Sequence, residues 1–153
     1  MASNPFTTPD GNISFTLPEF WEEYDDGEEN TFAFFDSRSW TGNLRITPLY
    51  WNRSNSSSKN AAAQFIQDEI VRNEGAIRMK LGYYDCAHYK KYIEQEGDPL
   101  VIYYWAVGNS NHLFLCSLTI AKEQETKQMN VEVLATIEDV IESIKINSAI
   151  GDI

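Results

Sequence analysis

The sequence predicts an α+β fold in which a single antiparallel β-sheet is covered by helices on both faces, an α/β/α sandwich. Three observations carry this. Two neighbouring runs, "PLVIYYWAVG" (99–108) and "HLFLCSLTIA" (112–121), are apolar on both parities. Val101, Tyr103, Trp105 and Val107 oppose Ile102, Tyr104 and Ala106, while Phe114, Cys116, Leu118 and Ile120 oppose Leu113 and Leu115. A strand of that kind needs a cover on each side. Two other segments carry apolar residues at helical spacing and can supply the covers. The punctuation between the strand-like runs is short, which favours antiparallel hairpins.

Each element has its own warrant. "NISFTL" (12–17) alternates Ile13, Phe15 and Leu17 with polar residues until Pro18 ends it, the pattern of a half-buried strand. "TFAFFD" (31–36) is a second strand, "SRSWTG" (37–42) a turn, and "NLRITPLYW" (43–51) a third strand in which Pro48 marks an edge or a bulge. These three are expected to form a meander. "NRSNSSSKN" (52–60) is rich in Ser and Asn, whose side chains compete for local backbone hydrogen bonds, and reads as a connection.

From Asn60 the period changes. Ala62, Phe65, Ile66 and Ile70 form one helical stripe, and Gly75 stops it. "AIRMKLGYY" (76–84) and "CAHYKKYIEQE" (86–96) are strands that precede the two central ones, with hairpin turns at "EGDP" (96–99) and "GNSN" (108–111). A second helix from about Thr126 carries Val133, Leu134, Ile137, Val140, Ile141 and Ile144.

At 153 residues with 42% hydrophobic and 13% aromatic side chains, the chain is one domain, 1–153, with enough apolar material for a real core. Its formal charge of −11 is local: "EFWEEYDDGEEN" (19–30) holds seven of the 23 acidic residues, leaving 16 against 12 basic ones elsewhere. Binding to nucleic acid or an anionic membrane relies on Lys and Arg displacing counterions, so neither is an expected partner. The longest apolar run spans eight residues, against about 20 for a membrane crossing. With no basic leader or signal-like apolar stretch at its start, the chain is expected to stay in the cytoplasm.

The order of these pieces resembles the PsbP-like fold family, which includes the Mog proteins that bind a small GTPase and related bacterial proteins of unassigned role. The matching stretches are "ISFTLPEFWEE", a strand leading into a Leu-Pro-x-x-Trp turn, "GNLRITPL", the first helix with its following hairpins, and "IEDVIESIKI". They cover nearly the whole chain. The resemblance implies a binding or adaptor module, as in photosystem subunits, GTPase-release factors and type VI secretion chaperones. It carries no catalytic residue over.

The acidic stretch is the first candidate site. Asp25, Asp26, Glu28 and Glu29 around Gly27 are hard ligands of the kind Ca²⁺ prefers, but the EF-hand spacing fails, since Ala33 stands where the closing Glu belongs. A solvated loop relieves the mutual repulsion most simply. A partner face is the alternative reading, with Trp21, Glu22, Glu23, Tyr24, Asp25, Asp26, Glu28 and Glu29 as candidate residues: rings supply contact area and carboxylates steer a basic protein partner.

Cys86 and Cys116 lie within apolar runs and read as free buried thiols. Cys86 and His88 share a strand face, yet neighbours at i and i+2 stand about 6.5–7 Å apart and point in parallel, too far for a nucleophile and its base. GxGxxG, GK[ST], GxSxG and HExxH are all absent. No cofactor, metal or catalytic residue is expected. A competing expectation is a small-ligand or unconventional enzymatic domain whose aromatic pocket uses His88, His112, Trp51 and Tyr89. A homodimer through an edge strand belongs with the protein-binding reading.

Overall fold

The computed structural model describes residues 4–51 and 60–147; most of the Ser/Asn-rich connection lies outside them. The elements are β1 (Asn4–Thr7), β2 (Ile13–Leu17), β3 (Trp21–Tyr24), β4 (Phe32–Asp36), β5 (Asn43–Tyr50), α1 (Ala61–Arg72), β6 (Ile77–Leu81), β7 (Tyr84–Gln95), β8 (Asp98–Asn109), β9 (His112–Ala121), a 3₁₀ turn (Lys122–Gln124), α2 (Gln128–Glu142) and β10 (Lys145–Ile146). The class is α+β with antiparallel pairing between neighbouring strands.

The single sheet covered by helices is corrected to two sheets. A seven-stranded sheet runs β3-β4-β5-β9-β8-β7-β6, and a three-stranded one runs β1-β2-β10. The expected meander is corrected with it. β2 pairs β1 along one edge and β10 along the other, leaving no edge for β4. The chain reverses at Pro18, with Trp21 N–H donating to the Pro18 carbonyl at 3.1 Å, and opens the larger sheet with β3 instead. The acidic stretch is therefore part strand, and the meander is β3-β4-β5. The run 76–84 is also divided, because Gly82 at φ +64 turns the chain between β6 and β7.

The two parities of β8 and β9 go to different partners. Val101, Trp105, Val107, Phe114, Leu118 and Ile120 pack with Ile137, Val140 and Ile141 of α2 and with Ile13, Phe15 and Leu17 of β2. Ala87, Ala106 and Leu113, on the opposite face, pack with Ala62 and Ile66 of α1. The two alanines allow α1 to sit close. Its first turn is anchored where Ala62 N–H donates to the Ser110 carbonyl at 2.9 Å, satisfying one of the free amides of a helix start. Each fully buried aliphatic side chain in these layers contributes about 1.5–3 kcal/mol.

The smaller sheet is held to the larger by phenylalanines. Phe6 of β1 meets Phe34 of β4 edge-on at 5.0 Å between centroids and Phe32 at 5.6 Å, and Phe15 meets Phe34 at 5.7 Å. Such pairs add about 0.5–1.5 kcal/mol each beyond their buried area.

The β8–β9 hairpin turns through Ser110 (φ +53) and Asn111, bringing Gly108 against the backbone of His112. A Cβ at Gly108 would overlap the His112 carbonyl oxygen, which cannot rotate away as a side chain can. By contrast Gly97, at φ +84 in the β7–β8 turn, has open space around its Cα. Gly108→Ala is expected to cost about 3 kcal/mol or more in chemical denaturation, and Gly97→Ala about 1–2 kcal/mol from backbone strain alone. Equal costs would contradict this close approach.

Candidate functional site

β3 lies at the outer edge of the seven-stranded sheet, so one side of its backbone has no strand partner in the sheet. Alternation puts Trp21 and Glu23 on one face and Glu22 and Tyr24 on the other, and burial differs within each face. Trp21 is buried in the core at 5% exposure and is no part of a contact surface, while Glu22 and Glu23 are exposed and Tyr24 is half-buried against Phe35. Tyr24 Oη has no hydrogen-bond partner, and burial raises the phenol's pKa. Next to this strand is a groove of about 440 Å³ lined by Glu23, Tyr24, Asp25 and Glu28, with Asn30, Thr31 and Phe32.

The turn after β3 is built by its own carboxylates. Asp25 Oδ1 accepts from Gly27 N–H at 2.8 Å and Asp26 Oδ1 from Glu28 N–H at 3.0 Å, with Gly27 at φ +84 between them. Asp26 alone is tied into the body of the protein: its side chain is 7% exposed and its Oδ2 accepts from Arg45 Nε at 2.6 Å. The Arg45 hydrogen bond, followed by that from Glu28 N–H, holds the Asp26 carboxyl below its usual pKa. Asp26 is thus a structural anchor within the acidic stretch, while Glu22, Glu23 and Glu28 are exposed. Arg45 escaped the sequence reading because its only signal is its position between the core residues Leu44 and Ile46.

At the other end of β3, Phe20 is exposed and lies under the Arg38 guanidinium, 4.5 Å from the ring centroid. Arg38 in turn pairs with Asp36 at 3.0 Å. The aromatic share of this face therefore comes from Phe20 and Tyr24.

His88, His112, Trp51 and Tyr89 do not converge. His88 stacks on Trp105 at 4.7 Å, and its Nδ1 lies 2.9 Å from the Tyr104 carbonyl oxygen. Tyr89 is on the opposite face, where its hydroxyl donates to Glu69 Oε1 of α1 at 2.6 Å, and Trp51 packs on Phe65 of the same helix. Burial and the Glu69 hydrogen bond push the Tyr89 phenol far above its normal pKa. Glu69 Oε2 lies 2.8 Å from Arg72 Nη1, an ion-pair contact without hydrogen-bond geometry. Of the four, His112 lines a cavity between the two sheets, and Tyr89 lines a separate one of about 350 Å³ with Phe65, Glu69 and Tyr104.

Cys86 and Cys116 are free and buried. Burial, aided by the nearby Glu138 carboxylate, raises the Cys86 thiol to about 12, and burial raises Cys116 further. Neither supplies a thiolate at neutral pH. Among the described residues no three of His, Cys, Asp and Glu are grouped to hold a metal, and no helix is long and apolar enough to cross a membrane.

Two predictions follow from this geometry. Arg45→Gln removes the Asp26 pair and is expected to cost about 1–2 kcal/mol at pH 7. Because the folded-state pKa of Asp26 lies below the ordinary 3.8, its contribution is complete above that value and fades as pH falls through the lower folded one. The variant should therefore lose less stability than the parent between pH 4 and pH 2 in acid titrations followed by circular dichroism. Separately, Ellman's reagent at pH 8 should label neither cysteine in the folded protein and both in guanidinium; fast labelling of either when folded would contradict the buried, protonated thiols.

Among solved structures, a protein of Bacteroides thetaiotaomicron determined at 1.50 Å is 30% identical to this chain with a TM-score of 0.77. The match covers 97% of this chain and 50% of that one, so this chain spans about half the length of its relative. LpqN of Mycobacterium tuberculosis, involved in cell envelope biogenesis, is 10% identical with a TM-score of 0.53 over 96% of this chain and 91% of its own, a likeness of fold alone. Cyanobacterial PsbP (CyanoP) from Synechocystis sp. PCC 6803 matches over 95% of this chain and 93% of its own at 11% identity, with a TM-score of 0.45 that is too low to carry more. The fold is the one shared with LpqN, in keeping with the PsbP-like resemblance of the sequence. No curated protein matches. Residues 1–151 match a family model throughout, and the chain belongs to that family, described as Domain of unknown function (DUF3805).

Proposed function

We propose that this chain is a non-catalytic protein-binding module that receives an extended, basic segment of a partner along the β3 edge and the acidic groove beside it. The observation that supports this is the edge strand itself: β3 has no strand partner on its outer side, where the N–H and carbonyl of Trp21 are taken by the Pro18 carbonyl and Asn4 Nδ2 and Glu23 follows. Glu22 and Glu23 are exposed, and the turn beyond them adds Asp25 and Glu28 to the groove wall. An added strand gains main-chain hydrogen bonds, and side chains on alternate positions give it selectivity. The carboxylates accelerate encounter with a basic partner and repel an acidic one. Phe20 and Tyr24 provide apolar contact at the two ends of the strand.

The experiment is capture of partners from the native lysate on the immobilised protein, comparing wild type with Glu22→Ser, Glu23→Ser, Asp25→Ser and Glu28→Ser combined. Asp26 is left in place because its loss would loosen the turn. A partner bound through this edge should be retained at least tenfold less by the variant, and the remaining binding should fall less steeply with salt. Equal retention at every salt concentration would remove the β3 edge as the docking face.

A further inference from the structure

The cavity beside His112 is unused by the reading above and has its own structural cause. Pro48 stops the β4–β5 ladder, whose last pair is Phe32↔Ile46, because proline has no N–H to continue it. Asn30, at φ +57, turns away and reaches back through its side chain, with Nδ2 donating to the Pro48 carbonyl at 2.8 Å. The large sheet thereby opens at this end, and the β1–β2 turn and β10 of the small sheet close the space from the other side. The result is a cavity of about 370 Å³, within the range of small-molecule sites.

Its walls are mainly apolar: Ile13 and Ile146 from the small sheet, Phe32, Leu49 and Tyr50 from the large one. His112 lines it as well, 8% exposed, with its ring 4.8 Å from that of Tyr50. Its Nε2 is buried and has no hydrogen-bond partner. A buried polar atom left unpaired costs about 1–3 kcal/mol, and such atoms in folded proteins commonly belong to sites that something else completes. Burial also lowers the pKa of this imidazole, so it is neutral at pH 7.

The charges around the cavity narrow what fits. Among the described residues no lysine or arginine lines it, so these walls offer an anion no counter-charge. Asp10 is the one acidic residue among the described residues on its wall, and Asp10 Oδ1 already accepts from Thr8 Oγ1 at 2.7 Å and Asn12 N–H at 2.9 Å. Both bonds fall on Oδ1, and since Asp10 is exposed, water solvates the rest of the carboxylate without a cation. The remaining requirement is a single group that can pair with imidazole nitrogen. A hydroxyl both donates and accepts, so it answers either tautomer.

We propose that this cavity binds an uncharged, largely apolar small molecule of the aromatic-alcohol class, its ring held between the two sheets and its hydroxyl hydrogen-bonded to His112 Nε2, which a turn of the imidazole brings to the cavity wall. The site is independent of the acidic edge and stands or falls separately from it.

The test uses 2-naphthol, with 2-naphthoate as its anionic counterpart, titrated into the full chain labelled with ¹⁵N-histidine. Saturable shifts of the His112 ring nitrogens, without comparable shifts at His88, and at least tenfold weaker binding of 2-naphthoate are the expected result. His112→Phe keeps a ring against Tyr50 and should weaken 2-naphthol at least tenfold. Ile146→Trp narrows the cavity while sparing the imidazole and should weaken it as well, which keeps the test decisive if the first variant folds poorly. Absence of a saturable His112 shift, equal binding of the two probes, or unchanged binding by folded variants would overturn the proposal and leave the nitrogen to a buried water.

Discussion

Two-sided burial of the β8–β9 hairpin is the constraint on which the rest of the molecule depends. A sheet whose central strands are apolar on both parities cannot leave either face to water, and the two faces are solved differently. On one, alanines at 87 and 106 allow a single helix to lie close, and α1 suffices. On the other, Trp105 and Phe114 make a thicker layer, and α2 shares the work with β2. The small sheet exists because that second face is broader than one helix can cover. The phenylalanine cluster joining Phe6 and Phe15 to Phe32 and Phe34 is the seam this creates, and the His112 cavity is where the seam stays open.

The elements that the sequence made legible are those whose pattern is long and repeated. Both helices and the strands of the two central hairpins have enough apolar positions for the period to show. β1, β3 and β10 are four, four and two residues long, and a strand that short carries one or two inward side chains, too few for alternation to be read. Sheet membership was hidden for a related reason. "ISFTL" declares a half-buried strand, but both of its neighbours in space come from short segments at the two ends of the chain, so nothing local distinguishes it from the first strand of a meander.

The same limit applies to the candidate sites. Seven carboxylates in twelve residues are conspicuous in the sequence, yet their roles differ by geometry: Asp26 braces the turn through Arg45, and Glu22 and Glu23 stand on an open edge. Charge density alone does not separate these. His112 was visible as one of only two histidines, but its significance comes from Pro48 and Asn30, far from it in sequence, which hold the cavity open. His88, equally conspicuous, is occupied by stacking on Trp105 and its contact with the Tyr104 carbonyl.

The arrangement of the small sheet bears on the order in which the protein can be completed. Its central strand, β2, is held on one side by residues only a few positions earlier and on the other by Lys145 and Ile146, with Asn147 N–H donating to Asn12. During synthesis the β3–β5 meander, the β6–β9 hairpins and both helices can form locally, and β5 can join β9, while β2 still lacks its far neighbour. Closure of that ladder joins the two ends of the domain across a loop of well over a hundred residues, the kind of contact that comes late because its entropy is repaid only once everything between is in place. Until then the growing chain carries an unsatisfied strand edge beside a half-covered aromatic layer, and the segment after α2 acts as the latch that ends this exposure.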